Sequence, residues 1–170
     1  MSQTLKTSVA VIGVDIGKNS FHLVGQDRRG AIVLRQKWSR GQVEARLANL
    51  PPCLIGMEAC GSADHWARKL QSFGHTVRLM APQFVKPYVK TNKNDAADAE
   101  AICEAVGRPN MRYVPEKNIE QQAVLALHRV RQGFVRARTA QANQIRGLLG
   151  EFGIIIPQGI GYISPSAFRS

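Results

Sequence analysis

Ser8–Asp15 reads SVAVIGVD, a short β-branched apolar run that closes on a carboxylate. A run this short and this apolar is a buried central strand rather than a helix. Gly17 breaks it, and Phe21–Gly25 (FHLVG) resumes as a second strand. Asp27-Arg28-Arg29-Gly30 follows as a turn, with glycine supplying the positive φ that closes a hairpin. Ala31–Trp38 then alternates as a third strand. Connections this tight make the three strands an antiparallel meander.

Strand and helix alternate beyond this point. Val43, Leu47 and Leu50 lie at helical spacing, and Pro51-Pro52 ends that helix. Cys53–Met57 (CLIGM) is a further buried strand, closing on Glu58. Trp66, Leu70 and Phe73 share a helical stripe that Gly74 terminates. Thr76–Met80 is a fifth strand, and Pro82 opens the next helix. The order predicts an α/β fold: a mixed sheet with flanking helices. Asp95–Val106 reads as one helix, stopped by Gly107 and Pro109. A short extended piece around Tyr113 precedes a long helix from Ile119 to Phe152, with Val124, Leu127, Val130, Phe134, Ile145, Leu148 and Leu149 near helical spacing. That helix spans roughly 45–50 Å at 1.5 Å per residue, which suits a projecting arm or one strand of a coiled coil.

The 170 residues carry 23 Lys plus Arg against 12 Asp plus Glu, a net charge of +11. This surplus favours a polyanionic partner, because each neutralised phosphate releases a condensed counterion. Hydrophobic residues form 44% of the chain, which excludes a disordered polymer. No apolar run approaches the roughly 20 residues needed to span a bilayer, and no secretory signal is visible. Cys53, Cys60 and Cys103 are odd in number and form no CxxC pair. Neither a disulfide framework nor a structural zinc site is expected, and a reducing cytoplasm fits.

Four acids stand out. Asp15 and Glu58 each end an apolar strand, where a charge is costly unless paired or coordinating. Two acids at the ends of neighbouring strands can share one side of a sheet, and like charges brought close call for a cation. Asp95 and Asp98 sit three apart on a helix and share a face. Capping of the helix N-terminus explains Asp95 well and Asp98 less well. The four are hard oxygen donors of the kind that bind Mg²⁺ or Mn²⁺, and a metal pair can drive phosphodiester cleavage. Lys90, Lys93 and Asn94 lead into Asp95 and offer a phosphate backbone charge and hydrogen bonds, as does Lys18 beside the first acid. Arg129, Arg131, Arg136 and Arg138 form a denser group, either a solvated helix face or a nucleic-acid contact.

The stretches GVDIGKNSFHLV (Gly13–Val24), GMEACGSADHWARKL (Gly56–Leu70) and KTNKNDAADAEAI (Lys90–Ile102) resemble the DEDD transposases of bacterial insertion sequences. The resemblance runs on through YVPEKNIEQQAVLALHRVR (Tyr113–Arg131) to GIIIPQG (Gly153–Gly159). It implies an RNase H-like (RuvC-like) fold, a catalytic and metal-binding tetrad at Asp15, Glu58, Asp95 and Asp98, and a helical coiled-coil extension. It also implies DNA as substrate, a structured guide RNA as partner, and self-association through the long helix. The expected organisation is a DEDD domain over 1–112, a helical extension over 113–159 and an unmatched tail over 160–170. Family members continue into a second domain with a serine nucleophile. Ser164, Ser166 and Ser170 lie in the unmatched tail and are assigned no such role, so a truncated copy, an excised domain or a frameshift product is expected.

Two other classes compete. A non-catalytic nucleic-acid-binding remnant would keep the fold and basic arm without turnover. An actin-like ATPase shares the core and a GVDIGKNS-like phosphate motif, but no second phosphate loop or Gly-Gly adenosine motif is found. His22, His65, His75 and His128 lack metal-ligand spacing and read as packing or surface residues, and Trp38 and Trp66 as core.

Overall fold

The β-branched runs form a six-stranded sheet in the order β3-β2-β1-β4-β5-β6 in the computed structural model, which describes residues 9–90 and 95–163. The strands are β1 (Val11–Ile16), β2 (Ser20–Gln26), β3 (Ile32–Ser39), β4 (Leu54–Glu58), β5 (Thr76–Met80) and β6 (Tyr113–Val114). The helices are α1 (Arg40–Ala48), α2 (Ala63–Ser72), the short α3 (Pro82–Val85), α4 (Asp95–Val106) and α5 (Ile119–Glu151). The β1, β2 and β3 strands pair antiparallel as a meander. By contrast, β1–β4 and β4–β5 are parallel, and α2 makes the crossover connection that a parallel β4–β5 pair requires. This is the mixed, helix-flanked sheet that the sequence pattern predicts.

Side-chain alternation decides which helix covers which face. Ile12, Val14, Phe21, Leu23, Leu34, Trp38, Ile55 and Met57 point to one side, where they meet Val43 and Leu47 of α1 and Trp66 and Leu70 of α2. The opposite face is narrower and carries α4. There Val24 packs with Ala99 and Cys103, and Met80 and Val85 pack with Ile102 and Val106.

Glycine makes the α4 contact possible. A Cβ built on Gly13 would stand 2.2 Å from the carbonyl oxygen of Ala99 and 2.3 Å from the amide nitrogen of Cys103. One built on Gly56 would stand 2.7 Å from Val106 Cβ. Removing both side chains lets the helix backbone settle directly on β1 and β4. Asp15 and Glu58 follow those glycines by two residues on their strands, so they emerge on the same face.

The chain divides into two units, one ending at Lys117 and one beginning at Asn118. Tyr113 and Val114 pair with Met80 and Leu79, which carries the sheet past the end of α4. Within the first unit, Asp64 accepts the Lys117 amide at 2.9 Å and meets its ammonium at 3.4 Å. The second unit is dominated by α5. Asn118 and Gln121 close a reciprocal capping box at its start, at 2.8 and 3.0 Å. At its end Gly153, with φ +75°, and Ile154 donate to the carbonyls of Gly150 and Leu149. Arg146 then folds the following segment back, donating to the carbonyls of Pro157 at 3.0 Å and Gly159 at 2.5 Å. Among the described residues, no helix is long and apolar enough to cross a membrane.

Candidate metal centre

β1 and β4 run side by side and in the same direction, with Val14 beside Met57. Asp15 and Glu58 are the next residue on each strand, at the C-terminal edge of the sheet. The first turn of α4 adds Asp95 and Asp98 above that edge. Asp15 is half-buried, while the Asp95 side chain keeps 68% of its exposure.

Electrostatics couple three of these acids. Burial pushes the Asp15 carboxyl above its ordinary range, and the negative charges of Asp95 and Asp98 push it further. His22 and a hydrogen bond from the backbone of Ile16 act in the opposite direction. Glu58 reaches the same face from the adjacent strand. The carboxylates stand apart around this edge: no three His, Cys, Asp or Glu among the described residues are close enough together to hold one metal ion. The donor set is nonetheless of the right kind. It offers only hard oxygens, on strand and helix ends whose backbones are fixed by the core, and it concentrates negative charge at Asp15.

His22 belongs to this centre, although its isolated position in the sequence reads as packing. It is the direct cross-strand partner of Asp15. Its Nδ1 lies 3.5 Å from Asp95 Oδ2 and 4.0 Å from Asp15 Oδ2, buried and without a hydrogen bond. Alternation along β2 carries the signal: Phe21 and Leu23 enter the large core, which turns His22 and Val24 toward α4. His75 fits the packing reading. It is buried, with Nε2 2.9 Å from the carbonyl of Leu47 and Nδ1 accepting the Cys53 amide at 3.3 Å. Trp38 and Trp66 are likewise buried. Burial pushes the Cys53 and Cys103 thiols up to about 11, which leaves them unreactive as nucleophiles at neutral pH.

The predicted basic contacts fall into three groups. Lys18 is exposed in the β1–β2 turn, three residues past Asp15. Lys90 is engaged, 2.7 Å from Glu104 and 3.8 Å from Glu100 on α4. Lys93 and Asn94 lie outside the described residues. The third group is Arg129, Arg131, Arg136 and Arg138 of α5, all four exposed. At 100° per residue they are not one cluster: Arg129 and Arg136 share one side, Arg131 and Arg138 nearly the opposite one.

Comparison with known proteins shows the family of the chain. The chain is 62% identical over 144 residues to a probable family 20 transposase of Pseudomonas aeruginosa, covering 85% of this chain and 43% of that protein. It is 50% identical over 156 residues to the transposase for insertion sequence element IS1328 of Yersinia enterocolitica, covering 92% of this chain and 47% of that protein. The chain thus spans less than half the length of these relatives. Among solved structures it is weakly similar to T. thermophilus RuvC in complex with Holliday junction substrate, at 15% identity and a TM-score of 0.41, covering 55% of this chain and 88% of that one. The family model for IS110-type DEDD proteins, described as "Transposase", matches residues 12–154, and the chain belongs to that transposase family.

Proposed function

We propose that this chain is the metal-binding front portion of a DNA recombinase, with Asp15, Glu58, Asp95 and Asp98 as the ligands of Mg²⁺ or Mn²⁺. One observation carries the reading: Asp15 and Glu58 emerge on one face of adjacent parallel strands, at the edge where α4 presents Asp95 and Asp98. A divalent ion held by these four carboxylates would supply Lewis acidity for phosphodiester chemistry. The chain's own contribution is positional. The strand ends fix two carboxylates, α4 brings two more, and His22 stands between Asp15 and Asp95. The +11 charge draws in a polyanion. DNA is the substrate in this reading, a structured guide RNA is a second polyanionic partner, and the cytoplasm is the compartment.

Self-association through α5 is part of the same proposal. Ile119, Ala123, Leu127, Val130, Phe134, Ala137, Ile145, Leu148 and Phe152 repeat at three- and four-residue steps, with Gln141 filling the one polar position. This stripe is exposed along the helix, as a coiled-coil seam awaiting a second copy would be.

The test is thermal unfolding of the wild-type chain and Asp15→Asn, with EDTA and with Mg²⁺. An acid whose folded pKa is raised costs stability once ionised, so Asp15→Asn should melt higher than wild type in EDTA. Wild type should gain stability with Mg²⁺ as RT ln(1 + [L]/Kd), and the variant should not. An equal Mg²⁺ response in both proteins would sink the assignment. Salt-dependent DNA binding without any metal response would favour the non-catalytic remnant instead.

A further inference from the structure

The register of the meander aligns a row of side chains across the sheet. Asp15 pairs with His22, and His22 pairs with Lys37. Paired residues on antiparallel strands share a face, so all three lie on the side that carries α4. The neighbouring row is Gly13, Val24 and Arg35. Lys37 is therefore two inter-strand spacings from Asp15, roughly 10 Å.

These rows line a cleft. A cavity of about 250 Å³ is bordered by His22, Val24, Arg35, Lys37 and Ala96, the last adjacent to Asp95 at the start of α4. Arg35 is already committed, with Nη2 2.5 Å from Glu100 Oε2. Lys37 is exposed and has no ion pair among the described residues. Lys18 and Lys86 of the same unit are also exposed and outside the ion pairs among the described residues, but neither borders this cleft. Of the two cations that border the cleft, Arg35 is paired and Lys37 is not, and the lining residues His22 and Ala96 stand beside Asp15 and Asp95.

A lysine on an edge strand can simply deter edge-to-edge pairing, and β3 is an edge. Two features separate Lys37 from that role: its row leads directly to Asp15, and it opens into a cavity rather than onto the free strand edge. From this we propose that Lys37 holds a backbone phosphate of the DNA, alongside the phosphate that the carboxylate centre addresses. This rests on the nucleic-acid reading above. A phosphate contact of this kind positions the strand and carries no sequence information.

The test measures binding of the full chain to a 20-base-pair DNA duplex by fluorescence anisotropy, across a range of salt concentrations and with Ca²⁺ present. Lys37→Gln should weaken binding and reduce the slope of log K against log salt by about one. Lys37→Arg should restore the slope. Arg28→Gln removes the same charge from the exposed β2–β3 turn and should leave the slope nearly unchanged. Circular dichroism checks that each variant is folded. If wild type binds and Lys37→Gln matches Arg28→Gln, the phosphate contact is overturned while the nucleic-acid reading stands. If wild type shows no salt-dependent binding, both fall. An effect of Lys37→Gln seen only with an RNA duplex would overturn the assignment to DNA.

Discussion

In the sheet, Ile12, Ile55, Met57 and Leu70 lose essentially all contact with water, whereas on α5 Ile119, Leu127 and Phe134 each keep about 70% of theirs. The two regions contain similar apolar residues in similar local patterns and put them to different uses. The sheet gains stability from long-range burial, worth about 1.5–3 kcal/mol for each fully buried large side chain. The long helix has little burial of its own: Ala142 is its one buried residue, and it relies on propensity, its capping box and its glycine stop. One region buries its apolar side chains, and the other leaves them exposed.

The hardest blow to this contrast falls at the sheet–helix contact. Gly13→Val should cost more than about 3 kcal/mol and leave little folded protein. The added atoms would meet the backbone of Ala99 and Cys103, which cannot turn aside as a side chain can. Gly56→Ala should be milder, because its obstruction is the Val106 side chain. Urea unfolding of the two variants gives the order, and a Gly56 variant less stable than a Gly13 one would refute the close-approach argument.

The same substitution made in both regions sharpens the comparison further. Leu70→Ala should cost about 2–5 kcal/mol, because it opens a cavity between α2 and the sheet. Leu127→Ala, at 70% exposure, should stay within about 0.5 kcal/mol in dilute protein. Chemical denaturation at low and high protein concentration reads both. A Leu127→Ala cost that grows with concentration would reveal the second copy.

Much of this fold was legible because its signals are local. β5 and α4 fall on the residues their periodicity predicts, Thr76–Met80 and Asp95–Val106. β6 was legible only as an extended piece around Tyr113: a two-residue strand has no period, and its place in the sheet comes from pairing with Leu79 and Met80 and from a Tyr113 hydroxyl that donates to the Val106 carbonyl at 2.9 Å. His22 escaped for a related reason, since its place beside Asp15 is a property of strand register. Asp64 shows the converse. It is more buried than Asp15, but its charge is met by Lys117, so its role is to tie down the chain that follows β6. Burial of an acid therefore does not by itself mark a candidate metal ligand. What sets Asp15 apart is the negative charge of Asp95 and Asp98 acting on it.

The smallest expected effect isolates the local physics of α5. Asn118 accepts the Gln121 amide, and the Gln121 side chain accepts the Asn118 amide, so two donors of the first turn are satisfied reciprocally. Asn118→Ala removes one acceptor and should cost about 1 kcal/mol. Because the rest of the 33-residue helix keeps its own ladder, that cost should appear as fraying of the first turn rather than loss of the helix. Amide exchange should quicken about fivefold near Gln121 and stay unchanged in the last turns. The melting of the sheet should not move, since the lost bond lies within the first turn of α5 itself. Asn118→Gly should recover most of the loss, because glycine is nearly as good at that position. If Asn118→Ala lowered the sheet's melting temperature by several degrees instead, the two regions would share a cooperative unit, and the contrast between burial and local order would fail.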